Sequence, residues 1–416
     1  MWADYEDQVG LDALPNRGKS IDAYLAAIRF DDRQTPAWIN LGTTYFTRAS
    51  QPRCQDPEGD LEQARSALDK ARALNPKHVV PYFYGGGVHG LMAERKRARG
   101  GDTRPDLEAA LDQYRKGLAI NPRMPQLHNG AGVVLMGLAR EAWDRGGDPA
   151  SFLDQSRLAF NQAIAEAPEQ GFGYHNVGEV LVLRALYQRA RGEDPGPTVR
   201  EALPIIRKAI DRIPEAAPPW ANLGTVHAIQ AAFELTQARD PQPSLGEATA
   251  ALDQALRRNP SDAQSHRYLG EARATRARFL AGRGQVSSGD FESAAEEFQK
   301  AIDLAPDEQD HRSAFGHFCR VWASWQAKAG RDPGPLLQRG LALANQILKA
   351  RPEWPDARVL RASLLLAQAQ AAVPSGEQRE EEGRAAEDFG KALAANPNLE
   401  HEWRSQATLA GRGAAR

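Results

Sequence analysis

The sequence predicts an all-α solenoid, a stack of antiparallel helix hairpins with a 46-residue period. Three observations predict it: a proline at fixed spacing, a small residue at a fixed distance after it, and apolar residues at three-to-four spacing between. The prolines are Pro76, Pro122, Pro168, Pro214, Pro260, Pro306 and Pro352, each 46 residues after the last, with Pro397 following after 45. Ten residues beyond the first seven stand Gly86, Gly132, Gly178, Gly224, Gly270, Gly316 and Ala362; Gly42 begins the series, with Asp32 in the proline's place. One such hairpin cannot bury its apolar face alone, but stacked neighbours can.

This frame assigns each element in turn. A partial first helix at Trp2–Leu14 and a half unit at Lys19–Asp31 open the chain, and eight hairpins run from Pro36 to Pro397. Gly171–Arg191 typifies the first helix of a hairpin: Tyr174, Val177, Leu181, Arg184 and Leu186/Tyr187 form one broad, mostly apolar stripe. Arginine and glycine end it, as in Arg145-Gly146-Gly147, Arg191-Gly192 and Gly330-Arg331. The cation suits a helix C-terminus, and glycine there takes the left-handed cap. Asp-Pro at 148/149, 194/195, 240/241 and 332/333 then opens the second helix, whose first turn needs no donor from proline. The two helices have about 20 and about 15 residues, the longer spanning roughly 30 Å. A last helix near Leu399–Ala410 covers the exposed end. The expectation is one solenoid over 1–416: a partial repeat at 1–35, eight hairpins at 36–397, and a capping helix and tail at 398–416.

Composition excludes several function classes. Lys plus Arg number 52 and Asp plus Glu 54, a formal charge of −2, so no overall field draws in nucleic acid or an anionic membrane. No apolar run reaches the ~18 residues of a transmembrane helix. The acidic start, Met1 to Asp7, lacks the apolar core of a signal peptide. Cys54 and Cys319 form no framework for disulfides or zinc, which fits a reducing compartment, most simply the cytoplasm.

The residues inside the frame resemble tetratricopeptide (TPR) repeats. That family's first helix reads aromatic, two residues, Leu-Gly, two residues, Tyr. Trp38-Ile39-Asn40-Leu41-Gly42-Thr43-Thr44-Tyr45 matches throughout, and Trp220 to Gly224 and Tyr174 to Gly178 match nearly as well. The second helix keeps Ala71, Gly117, Ala163, Ala209, Ala255 and Ala301, with bulky Tyr114, Phe160, Phe298 and Phe389 three residues before that slot. The 46-residue period exceeds the usual TPR length and also falls in the HEAT and armadillo range, so the residues decide the assignment. The resemblance implies a right-handed superhelix. The Arg-Gly-Gly-Asp-Pro and Ala-Asn-Pro phrases further resemble tails that follow the catalytic domain of eukaryotic-like Ser/Thr kinases in myxobacteria and related bacteria. Asp4 to Gly10 fits such a tail starting partway through a helix. This second resemblance implies a docking or regulatory role beside a kinase domain, attached or separate, and no kinase activity in the chain itself. The alternatives are a free-standing adaptor in signalling or envelope assembly, and an enzyme with a site between repeats.

Motifs that suggest chemistry have structural readings within the frame. Asp388-Phe389-Gly390 spells a kinase metal-binding triplet, but Phe389 fills the bulky slot and no His-Arg-Asp loop precedes it. Gly85-Gly86-Gly87-Val88-His89-Gly90 fits G-x-G-x-x-G, yet lies inside a first helix rather than after a strand. Three glycines should weaken that helix by roughly 1 kcal/mol each against alanine, and would suit a bend. His128 and His266 stand in the Trp slot, and His89 and His227 in the Tyr slot, as packed substitutes for aromatics. Arg95-Lys96-Arg97-Ala98-Arg99 ends a first helix and reads as a solvated end matched to the dipole. No catalytic, metal or cofactor residue is expected.

In TPR proteins the first helices line the concave groove, so the resemblance places the residues flanking Leu-Gly inside it. These are Asn40, Asn129, His175, Asn176, Glu179, Asn222, Arg267, Glu271, His317 and Arg320. The amides of Asn40, Asn176 and Asn222 can bridge a peptide's backbone donor and acceptor, although this asparagine also recurs in the family without a ligand. His175 with Glu179 and Arg267 with Glu271 read as ordinary surface i,i+4 pairs. The Lys-Asn pair of the chaperone-tail type is missing, so a terminal carboxylate is not the expected ligand. Mixed charge points to a polar peptide or protein face of either sign.

Overall fold

A computed structural model of the chain describes residues 14–51, 53–371 and 376–414. These residues form 18 α-helices and no strand. The expected partial helix at Trp2–Leu14 falls almost wholly outside them. Helix α1 (Leu14–Phe30) stands alone before eight hairpins. The first four are α2 (Thr35–Ala49) with α3 (Pro57–Leu74), α4 (Val80–Ala98) with α5 (Arg104–Ile120), α6 (Pro125–Asp144) with α7 (Ala150–Glu166), and α8 (Gly171–Ala190) with α9 (Gly196–Arg212). The last four are α10 (Ala217–Thr236) with α11 (Gln242–Arg258), α12 (Ala263–Gly282) with α13 (Ser288–Leu304), α14 (Gln309–Lys328) with α15 (Gly334–Ala350), and α16 (Pro355–Ala371) with α17 (Gly376–Ala395). A 3₁₀ turn at Pro397–Leu399 leads into α18 (Glu400–Ala414). Helices α8, α10, α12 and α14 have 20 residues each, and α9, α11, α13 and α15 have 17.

The connections recur because the same short-range chemistry recurs. Gly100, Gly146, Gly192, Gly284 and Gly330 close first helices at φ between 67° and 76°, the left-handed cap glycine adopts without steric cost. Asp148, Asp194, Asp240 and Asp332 then accept the backbone N–H two residues on, at 2.8–3.1 Å, which fixes the turn into the second helix. Val286 stands where that aspartate would be, and a capping box replaces it: Asp290 accepts from the backbone N–H of Ser287 at 2.9 Å. In the Asn-Pro turns, Asn75, Asn121, Asn259 and Asn396 accept in the same way at 3.1–3.2 Å.

Packing explains the small-residue slot. A Cβ on Gly42 would lie 2.7 Å from Leu68 Cγ, on Gly132 2.6 Å from the Phe160 ring, on Gly178 2.8 Å from Ile206 Cγ1, and on Gly224 2.5 Å from Leu252 Cγ. In each of these four hairpins the glycine admits one bulky residue of the second helix. The triple glycine is the same device extended. Tyr114, whose phenol is pushed up to about 12 by burial, lies against both Gly86 and Gly130. Gly85 leaves room for Arg72, which donates to the Pro81 carbonyl at 2.8 Å, and a Cβ on Gly87 would lie 3.1 Å from the Phe46 ring. Helix α4 runs as one α-helix from Val80 to Ala98, across the glycines.

The Trp slot has a purpose beyond filling space. Trp38 Nε1 donates to the Asp32 carbonyl at 2.8 Å, Tyr82 OH to Pro76 at 3.1 Å, and Trp220 Nε1 to Pro214 at 3.2 Å. His128 Nε2 lies 2.7 Å from the Pro122 carbonyl and His266 Nε2 3.1 Å from that of Pro260, while Arg312 donates to Pro306. A carbonyl only accepts, so those histidine nitrogens carry the proton. His128 and His266 thus replace Trp as donors as well as packed rings.

The described residues fall into two compact units. One takes in the described residues up to Arg97, with Gly101–Leu138 and Asp154–Pro168; the other Ala98–Gly100, Ala139–Leu153 and the described residues from Glu169 on. Within the second unit, α8 packs on α10, α10 on α12, α12 on α14, α14 on α16 and α16 on α18. No comparable packing joins successive second helices of this unit, α9, α11, α13, α15 and α17, among the described residues. The first helices therefore lie on the inner side of this unit's curve. The unit also folds back on itself. Asn398 Nδ2 donates to the Gly147 carbonyl at 3.0 Å, Arg191 approaches Asn398 Oδ1 at 3.4 Å, and His401 lies against Gly192.

Candidate peptide-binding face

Two of the candidate residues belong to the first unit: Asn40 is exposed on α2 and Asn129 half-buried on α6. The other eight stand on first helices of the second unit: His175, Asn176 and Glu179 on α8, Asn222 on α10, Arg267 and Glu271 on α12, His317 and Arg320 on α14.

Several of these side chains bond within the fold. Asn222 Nδ2 reaches His175 Nδ1 at 3.1 Å and the His175 carbonyl at 3.3 Å, tying α10 to α8. Burial lowers the His175 pKa against the pull of Glu179, so the neutral ring accepts from the amide. Glu179 takes its hydrogen bond from Arg140 on α6, at 3.2 Å. Arg267 and Glu271 do pair, at 2.5 Å, but with 17% and 26% of their side chains exposed they are not an open surface pair. The Arg267 guanidinium sits 3.9 Å from the centroid of buried Tyr268. Burial alone would lower its pKa, but Tyr268, Glu271 and Asp310 hold it above the ordinary value.

At the far end of this face, His317 packs on Trp403 of α18 with ring centroids 5.4 Å apart, and Arg320 lies 5.4 Å from the same indole. Burial and the Arg320 charge push His317 down to about 3, so its ring is neutral at physiological pH. His311 is pushed down to about 4 by burial and by Arg267. Asp356 moves the other way: burial, then Asp144 and Asp310, raise it to about 7 against the opposing effects of its backbone hydrogen bond and Arg351. The inner face is thus crowded and sparingly hydrated, and polar groups are only partly satisfied there. The Nε atoms of Arg267 and Arg320 are buried without a hydrogen-bond partner. Arg140, Tyr268, Glu402 and Trp403 join this face although none was among the candidates. Trp403 was findable: it stands six residues after Pro397, in the Trp slot. Arg140 gave no such cue.

The decoy motifs have structural partners. Asp388 accepts two hydrogen bonds from Arg361, at 2.6 and 2.8 Å, and Phe389 is fully buried. In the basic run, Arg95 donates to Glu58 at 3.0 Å and Lys96 to Asp106 at 2.5 Å. Cys54 and Cys319 are free thiols. Among the described residues no three His, Cys, Asp or Glu side chains gather as for a metal ion. No helix among them is long and apolar enough to cross a membrane.

Residues 275–308 match the tetratricopeptide repeat family model. A thermophilic TPR protein of Thermus thermophilus is 22% identical over 58% of this chain and 100% of that one, with a TM-score of 0.40. YrrB, a TPR protein with an unusual peptide-binding site, is 19% identical over 59% of this chain and 95% of its own, with a TM-score of 0.31. The Cut9–Hcn1 hetero-tetramer of APC/C covers 95% of this chain and 58% of the matched one at 13% identity, with a TM-score of 0.50. No curated protein sequence matches. The chain has a TPR-type solenoid fold, and one stretch of it, residues 275–308, carries a tetratricopeptide repeat recognisable from sequence.

Proposed function

We propose that the chain is a scaffold that binds a protein or extended peptide along the inner side of its first helices, and is not an enzyme. The observation that carries this reading is the polar inner face of the second unit, where Arg267 and Arg320 keep buried, unpartnered Nε donors. A peptide backbone supplies acceptors that such donors lack, and a site already shielded from water strengthens each bond made there. Asn222 belongs to the scaffold in this reading, because its amide holds the preceding helix; Asn176, Glu179 and Glu271 are the better ligand contacts. Peptides selected from a displayed library against the purified protein test it. Glu179→Gln with Glu271→Gln should weaken the selected peptides about tenfold, ~1.4 kcal/mol, with the fold retained by circular dichroism at the binding temperature. Unchanged affinity would remove the inner face as the binding site.

The finer reading is a docking region for a bacterial Ser/Thr kinase, supported by the repeated Arg-Gly-Gly-Asp-Pro and Ala-Asn-Pro phrases. Purified catalytic domains of the Ser/Thr kinases from the same genome, titrated against the chain, test it. No binding up to about 100 μM, weaker than any functional docking contact of this kind, would reject it.

A further inference from the structure

Helix α18 carries a hairpin face that no second helix covers among the described residues. In every complete hairpin the first helix meets its second helix at the small slot and again at an alanine seven residues later. Ala49 shares a core with Leu61, Ala64 and Leu68 of α3, and Ala323 shares one with Leu337 and Ala344 of α15. Ala49, Ala139, Ala231, Ala277, Ala323 and Ala369 are each at most 1% exposed. Helix α18 keeps the same two residue types in Ala407 and Ala414. Here, however, Ala407 is only half-buried and Ala414 is exposed, and a Cβ on Gly411 between them would meet open space.

Helix α1 is the reverse case, a second helix with no first helix before it among the described residues. Its Tyr24 and Ala27 stand eight and five residues before Asp32, as Leu68 and Ala71 stand before Pro76. Four residues ahead of the bulky slot, Ala64, Ala110, Ser156, Ala202, Ala248 and Ala294 are fully buried. The matching Ser20 of α1 is half-buried, and so is Tyr24.

We propose that α18 of one copy takes α1 of a second copy as its missing second helix, so that chains join head to tail. The contact repeats an interface the chain already forms eight times, with Tyr24 of the second copy seated on Ala407 and Gly411. Small residues along α18 let the two helices approach closely, and slots left partly open in a single chain become buried. The union is heterologous, joining two different surfaces, so each added copy presents a fresh free end. It is independent of the inner face and of any ligand held there.

Sedimentation velocity of the full chain between about 1 and about 100 μM, where contacts of micromolar strength populate, tests it. The weight-average mass should rise at least about twofold across this series. Gly411→Glu with Ala414→Glu puts charged side chains where the single chain has room for them, and should hold the protein monomeric. Ser20→Glu with Ala27→Glu should do the same from the other side. Mixed together, the two variants should form a 1:1 dimer that grows no further, because one offers only α1 and the other only α18. Pairing of like ends would not give that result. If circular dichroism shows the α1 variant unfolded, an excess of the α18 variant should instead stop the parent at a dimer. A parent that stays monomeric at about 100 μM overturns the proposal, as does association that survives the α18 substitutions. Assembly that appears only after deletion of residues 1–13 also overturns it, because that segment would then hold the seat on α1 within its own chain.

Discussion

Trp38, Tyr82, His128, Trp220, His266 and Arg312 differ in size and charge, yet each sends an N–H or O–H to a carbonyl six residues earlier. A preceding turn that ends in proline leaves that carbonyl without a helical partner, and a long side chain with a donor tip satisfies it. Titratable residues on the inner face follow the opposite logic, since crowding there penalises charge. Asp356, raised to about 7 in the fold, has an ordinary value of ~3.9 when unfolded. Its contribution to stability is therefore complete below about pH 4 and is lost as pH rises through about 7. His311 and His317, depressed to about 4 and about 3, act in reverse: their contribution is present above about pH 6.5 and is lost as pH falls towards those values. Urea unfolding of Asp356→Asn against the parent should show a stability gain that is larger at pH 8 than at pH 5. A gain independent of pH would mean that Asp356 is ionised and satisfied throughout.

Among the helices, the left-handed caps make one exception conspicuous. Positions 100, 146, 192, 284 and 330 are glycine at positive φ, while Ala238 holds the same place at φ 54°. Its Cβ strains a conformation that glycine takes freely, at a cost of ~1 kcal/mol. Ala238→Gly should therefore stabilise the protein by about 1 kcal/mol in denaturant melts. No change would mean the turn has relaxed around the methyl group. Gly-Asp-Pro and Asn-Pro phrases carried most of the helix boundaries into view, because a cap is decided by three or four adjacent residues. The glycine slots were equally legible as places of close packing, but what they admit was not: Tyr114 lies between Gly86 and Gly130, and Leu360 faces Gly316 where Ala344 is too small to do so. Least legible was the inner face. Asn222 on His175 and Arg140 on Glu179 depend on how one first helix leans against the next, and no spacing within a helix encodes that angle. Those contacts decide which candidates remain available to a ligand.

At the scale of the whole molecule, repeat proteins gain stability mainly between nearest neighbours, so an end repeat ordinarily frays first. The second unit has a contact that breaks this rule. Asn398 and Gly147 are 251 residues apart in sequence and joined by a 3.0 Å hydrogen bond, with Arg191 and His401 beside them. Hydrogen exchange should find the amides of α18 protected nearly as well as those of α10. Asn398→Ala should cost about 1 kcal/mol globally and speed exchange in α18 selectively. Exchange that is uniform along the unit in both proteins would deny the latch any role. A contact of this kind also counts. Duplicating or deleting one hairpin, the ordinary way in which such arrays change length, would carry Asn398 past its mate by a full repeat. The bond thereby makes the number of hairpins between α6 and α18 a property of the fold, as fixed as the number of staves that closes a barrel.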